Sequence, residues 1–184
     1  MNTKRVVFTS ASTFLIIIGA YLSIQIGLVP IVLTNFFIIL IGIVFGWRVA
    51  LLSILTYIIL GATGLPVFSN GKGGLAHILG LTGGFLLGFI PLAFFSGLAK
   101  GKSIILRVLL PVIGSIILYF IGVPWAMFVY NNIIAPGGNK PLWDLATTLK
   151  YTTIPFLIPD LVKVVIAVAI SKILEPVVDN FVNN

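Results

Sequence analysis

Six apolar stretches follow one another along the chain, at about Val6–Ile26, Ile31–Phe45, Val49–Leu60, Phe85–Leu98, Ile104–Ile121 and Leu157–Leu174. A bilayer core about 30 Å thick asks for about 20 mainly apolar helical residues per crossing. Backbone polar groups are satisfied there only by helices or closed barrels. Of the 184 residues 59% are hydrophobic and 8% charged, with a mean hydropathy of +1.22. A soluble domain of this size has too much surface to hide that much apolar sequence. The expectation is an all-α membrane protein with six transmembrane helices, a single domain over residues 1–184.

The joints between the stretches carry the local signals. Met1-Asn2-Thr3-Lys4-Arg5 before an apolar run resembles a signal peptide, but no small-residue cleavage site follows. The run is therefore read as an uncleaved first span. Gly27 and Pro30 break it, and Pro30 is placed to start the second helix. Gly46-Trp47-Arg48 reads as a turn at the membrane surface. The third stretch is too short to cross alone, so it either continues through Gly61–Phe68 with a distorted end or stops short. Gly122 to Trp125 bends or ends the fifth. Tyr130 to Tyr151 is the most polar segment, an outer loop with a short amphipathic helix at Pro141–Lys150. Glu175-Pro176 stops the sixth.

Gly64 to Gly84 is too glycine-rich for a regular helix and too apolar for an ordinary solvated loop. Such backbone survives at membrane depth where it is buried in protein or lines a cavity. Two readings stand: a plain connection, or a loop folded back over a site with the bare amides of residues such as Gly73 and Gly74 approaching a ligand. Thr82 is placed to cap the helix that follows.

Six spans put both termini on one side. Lys4, Arg5, Arg48, Lys100, Lys102, Arg107 and Lys172 fall on that side, against Lys72, Lys140 and Lys150 on the other. By the positive-inside rule both termini are cytoplasmic in a plasma membrane. The glycine-rich loop and the start of the sixth span then meet at the outer face.

Asp160 and Lys163 stand out within that sixth span. At i,i+3 on a helix they share one face, and either charge costs about 2.5–3.5 kcal/mol at a bilayer centre, so both should face the interior. One reading is a site for a small polar ligand. The other is structural: after Pro155 and Pro159, Asp160 meets the helix dipole in a first turn, and Lys163 neutralises it or snorkels.

Other chemistry is thin. The net charge of +7 has no basic patch with interleaved aromatics behind it, so it reports orientation and not nucleic acid. The absence of cysteine excludes disulfides and thiolate metal sites. His77 has no partner at metal-ligand spacing, and Gly71–Gly74 lacks the Gly-Lys-Ser/Thr ending of a phosphate loop. No catalytic set, metal site or cofactor motif assembles. Six unequal spans without internal repeats argue against a complete secondary transporter. What is left is a compact membrane-embedded binder that needs a partner to supply energy.

Two motifs give that binder a family. Gly-Leu-Pro-Val-Phe through Gly-x-Thr-Gly-Gly-Phe-Leu-Leu-Gly-Phe at Gly64–Phe89, and Pro-Phe-Leu-x-x-Asp-Leu-Val-Lys at Pro155–Lys163, closely resemble the BioY family. Its members are the biotin-specific substrate-binding (S) subunits of energy-coupling factor (ECF) transporters. Val29–Asn35 looks like the family's first loop and the start of helix two. The chain departs from the pattern at Leu81 of Gly80–Gly84, at Ile158-Pro159 before Asp160, and at Val32-Leu33-Thr34-Asn35. The resemblance implies an S-component-like fold, an outer site capped by loops one and three, and no enzymatic activity. It also implies a complex with a transmembrane coupling subunit and two cytoplasmic ATPases, within which the S subunit topples to deliver its vitamin. Ala11, Ser12 and Ala20 supply small residues for packing on that coupling subunit.

On this resemblance the ligand is biotin, with two ureido N–H donors, a ureido carbonyl, a thioether ring and a carboxylate tail. Asp160 would accept from a ureido N–H, and Asn35 beside Thr34 would donate to the carbonyl. Lys163 would meet the carboxylate or hold Asp160 ionised. Phe68, Tyr57 and Tyr151 are candidates to pack the rings. The alternatives are another vitamin in the same architecture, or a small intramembrane enzyme using Asp160.

Overall fold

A computed structural model describes residues 3–25, 29–138 and 140–183. Ile26, Gly27 and Asn139, which the reading above placed in a span end or loop, lie outside the described residues. The described chain is helical apart from one small hairpin. In order it runs α1 (Thr3–Tyr21), β1 (Ser23–Gln25), β2 (Pro30–Val32), α2 (Thr34–Phe45), α3 (Trp47–Ala62), α4 (Leu75–Ile78), α5 (Gly83–Leu98), α6 (Ile104–Val129), α7 (Ala135–Gly138), α8 (Leu145–Thr152) and α9 (Ile154–Asn183). Six of these match the apolar stretches anticipated from sequence; α1, α6 and α9 are long enough to cross a membrane unaided, whereas α2, α3 and α5 are shorter apolar helices.

The centre of the bundle is α2, packed against α1, α3, α5 and α9. It is apolar all round and buried without a break from Ile38 to Val44, as expected of a helix surrounded by others. Its 12 residues make it only ~18 Å long. A single residue, Gly46 at φ +85°, turns α2 into α3. That conformation suits glycine, so the surface turn is one residue, with Trp47 and Arg48 already in the first turn of α3. Helices α5 and α6 approach closely because Gly88 faces Leu118 and Gly114 faces Leu92. A Cβ on either glycine would lie 2.9 Å from the opposite Cα. Without a hydrophobic drive inside lipid, such close backbone contact supplies the packing energy.

Several predicted boundaries move. Helix α1 ends at Tyr21, and Pro30 belongs to β2 and not to a helix start, because β1 and β2 pair antiparallel with Ile24 opposite Ile31. Helix α6 runs straight through Pro124 to Val129 and continues as a π-turn over Tyr130–Ile134. The amphipathic helix lies at Leu145–Thr152, capped by Asp144, whose carboxylate accepts from the Thr147 amide at 2.8 Å. Thr82 sits at the N-cap of α5 but its side chain makes no capping bond. Helix α9 contains Pro159 and Pro176 and does not stop at Glu175. Proline is tolerated inside such helices because neighbours re-satisfy the freed carbonyls.

Glu175 instead locks one end of the bundle. It is 2.5 Å from Arg107 and accepts from the Gly101 amide at 3.0 Å, while Lys100 meets Asp179 at 2.8 Å. Lys4 Nζ reaches the Phe181 carbonyl at 3.4 Å, so the two termini sit at this same end. The hairpin, the glycine-rich segment and the start of α9 sit at the other.

Candidate functional site

Asp160 lies in the second turn of α9, with Lys163 one turn on and pointing the same way. Asp160 Oδ1 accepts from Lys163 Nζ at 2.9 Å and from Asn35 Nδ2 at 2.6 Å. Lys163 Nζ also donates to Asn35 Oδ1 at 3.0 Å and to the Val32 carbonyl at 2.8 Å. Asp160 Oδ2 accepts from the Tyr119 hydroxyl of α6 at 2.6 Å. Side-chain exposure is 8% for Lys163 and 14% for Asp160. The reading of these charges as interior-facing is thus met, and Asn35 from the first turn of α2 joins them.

The hydrogen inventory narrows what this cluster can offer. An ammonium has three hydrogens, and all three are taken by Val32, Asn35 and Asp160. Lys163 has no hydrogen left over, and within the cluster it balances and orients Asp160. Asp160 Oδ2 keeps an acceptor direction beyond Tyr119, and the second Asn35 amide hydrogen meets no partner among the described residues. The cluster therefore presents an acceptor and a donor side by side. Charge-assisted bonds of this kind are short and about twice as strong as neutral ones.

Two neighbouring cavities, with about 400 and 410 Å³ of atom-free space and partly open, meet here. They share Val29, Pro30, Val32, Phe85 and Phe89 in their walls. The first is bordered by Asn35, Tyr119, Thr152, Asp160 and Lys163. The second is bordered by Thr34, Tyr57, Phe68, His77 and Thr82. Phe68 is fully buried, with Tyr57 edge-on at 5.3 Å and His77 stacked at 5.1 Å. Both are mainly apolar with a few convergent polar groups, the usual make-up of a ligand site. His77 is held below the usual histidine range by burial, then by the nearby charge of Lys72.

The cover comes from two directions. The hairpin lies over the cavities and is tied to the glycine-rich segment by Tyr21, whose hydroxyl donates to the Pro66 carbonyl, and by Ser23 with Asn70 at 3.3 Å. That segment folds back onto the end of α3: the Gly74 amide donates to the Gly61 carbonyl at 2.7 Å. A Cβ on Gly73 would lie 2.2 Å from the Leu65 carbonyl oxygen. These glycines serve the loop's own close packing, and neither borders the cavities. Gly61 allows Phe68 to seat, since its Cβ would fall 2.0 Å from the ring.

Of the nine residues anticipated for the site, Asp160, Lys163, Asn35, Thr34, Phe68 and Tyr57 border the cavities. Gly73 and Gly74 build the cover. Tyr151 stacks on Trp143 at 5.4 Å, itself stacked on Tyr130 at 3.7 Å, and its neighbour Thr152 faces the cavity instead. Sequence reasoning passed over Tyr119, a phenol in the middle of an apolar helix that needs an acceptor once buried. It also set aside His77, and it had no means of finding the Val32 carbonyl.

Apolar helices packed around a cavity with a few convergent polar groups define the class, a multi-pass helical membrane protein with an internal site. The chain belongs to the BioY family, whose model matches residues 1–180. A Pyrococcus horikoshii protein described as a probable biotin transporter is 40% identical over 176 residues, spanning 95% of this chain and 98% of that one. A Thermotoga maritima biotin transporter is 37% identical, over 91% and 94% of the two chains. A solved S-component for biotin from an ECF-type ABC transporter superposes with a TM-score of 0.78 at 26% identity, covering 96% and 95% of the two chains.

Proposed function

We propose that this chain binds biotin and mediates its uptake as the membrane-embedded S subunit of an ECF-type ABC transporter. The observation that carries this is the Asp160–Lys163–Asn35–Tyr119 cluster at the end of a cavity in a BioY-family chain. A ureido group is a rigid donor–acceptor head. Its N–H meets the open side of Asp160 Oδ2, and its carbonyl meets the free hydrogen of Asn35. The bicyclic ring passes between Phe85 and Phe89, and the tail extends toward Phe68, His77 and the loops. Lys163 positions Asp160 and does not pair with the tail carboxylate. A ligand without the matching polar head leaves buried groups unpaired, at a cost of about 1–3 kcal/mol for each.

Binding alone moves nothing, so the chain works with a transmembrane coupling subunit and two cytoplasmic ATPases, and is not itself an enzyme. Both termini face the cytoplasm of the cell membrane. Lys4, Lys100, Lys102, Arg107 and Lys172 gather at the terminal end, opposite the site. The test is equilibrium binding of biotin to detergent-purified protein stripped of ligand. Tight, stoichiometric, biotin-selective binding without turnover supports the assignment. No binding to a folded protein sinks the substrate, and turnover sinks the binder.

A further inference from the structure

At the terminal end, away from the ligand cavities, an open groove runs between the start of α6 and the last turns of α9. Its walls carry Lys102, Arg107, Lys172, Glu175 and Asp179. Two of these charges are already cancelled internally and a third is met from outside the wall. Arg107 pairs with Glu175 at 2.5 Å, and Asp179 with Lys100 at 2.8 Å. Arg107 is further held by its Nε donating to the Lys102 carbonyl at 2.9 Å. Lys102 and Lys172 are left, both exposed and neither with an ion partner among the described residues. The rim therefore has a net charge of two positive units on a rigid, hydrogen-bonded frame.

The surface beside the groove is apolar. Ile105 is 73% exposed, Ile173 72% and Val177 58%, on the same two helix ends that supply the lysines. Two cations above a strip of exposed aliphatic side chains match an amphiphile with a phosphate head and acyl chains. A soluble anion would use the cations and leave the strip uncovered. Basic pockets between membrane helices on the cytoplasmic side are suited to anionic head groups.

We infer that this groove is a binding site for one anionic phospholipid of the leaflet at the terminal end, its phosphate held between Lys102 and Lys172. By the orientation proposed above this is the cytoplasmic leaflet, although the chemistry of the site does not depend on that assignment. The internal pairs keep Glu175 and Asp179 from repelling the phosphate.

The experiment is native mass spectrometry of delipidated protein in a neutral detergent, with phosphatidylglycerol and phosphatidylcholine added in equal amounts. Thermal unfolding of every variant serves as the check on folding. The wild type should retain phosphatidylglycerol selectively. Lys102→Gln with Lys172→Gln should weaken that retention roughly 10- to 30-fold, the worth of two cations at a membrane surface. Lys102→Arg with Lys172→Arg should keep it. Lys140→Gln with Lys150→Gln, which removes the same charge at the opposite end, should also keep it. Undiminished retention in the first variant overturns the site, and equal loss in the opposite-end control reduces it to a general charge effect. Displacement by glycerol phosphate as effective as by the intact lipid overturns the lipid in favour of a soluble anion.

Discussion

Replacing Lys163 by methionine tests whether the buried pair serves the ligand or only the fold. Methionine keeps the length and apolar stem but removes three donors at once. The Val32 carbonyl, Asn35 Oδ1 and Asp160 Oδ1, at 2.8, 3.0 and 2.9 Å, all lose a partner. Hydrogen bonds to charged groups are worth about 1.5–3 kcal/mol each, but they share one cation and do not add. The governing quantity is the cost of breaking a buried ion pair from one side, about 3–5 kcal/mol. For a chain of this size that lowers the melting temperature by about 6–20 °C. Biotin affinity should fall at least ~100-fold, since a loss of ~2.7 kcal/mol already amounts to that. The informative arm is the double variant Lys163→Met with Asp160→Leu. Replacing both partners of a buried pair with apolar groups is often neutral or stabilising, so the melting temperature should recover. Binding should not recover, because the acceptor for the ligand head has gone. Melting curves and titration calorimetry on the same preparations give both readings. A double variant that binds biotin normally would refute the assignment of Asp160 and reduce the pair to a structural device.

Two further outcomes follow from the same geometry. Tyr119→Phe removes the donor to Asp160 Oδ2 while keeping the ring; affinity should weaken about 5- to 10-fold, the worth of one hydrogen bond near 1–1.5 kcal/mol, and an unchanged titration would remove Tyr119 from the site. His77 is held below its usual value of 6.5 by burial and by Lys72. The unfolded chain therefore takes up its proton first as pH falls, and the stability present above pH 6.5 declines below it. His77→Gln should flatten that part of a melting-temperature profile, and a profile as steep as the wild type's would refute the link.

Much of this is legible in the sequence. The apolar runs announce six apolar helices, three of them short, and two opposite charges three residues apart announce an inward face. The cover was one of two readings the glycine-rich segment left open, a plain connection being the other. The helix ends were not legible. Pro124 and Pro176 are stop signals in water, but α6 and α9 pass through them, as membrane helices can. The partners of Asp160 were only half visible. Lys163 is local, whereas Tyr119 is 41 residues away and reaches it only through the packing of α6 on α9. Tyr151 and Thr152 show the limit of reading from residue type. The aromatic looked suited to the ligand, but the direction of α8 turns it onto Trp143 and gives the cavity the threonine.

The shortness of α2 fixes a ruler inside the protein. At ~18 Å it falls about 12 Å short of a 30 Å hydrocarbon layer. Asn35 in its first turn marks the depth at which the polar cluster lies. A molecule anchored on Asp160 would lie in the cavities beneath the hairpin and the glycine-rich segment. A compact molecule fits within that depth and can be sealed by the hairpin. A longer conjugate of the same head must leave its far end protruding through the cover, holding the hairpin away from the glycine-rich segment. On the proposed function, the chain is expected to discriminate by length as well as by chemistry, through a helix that ends early.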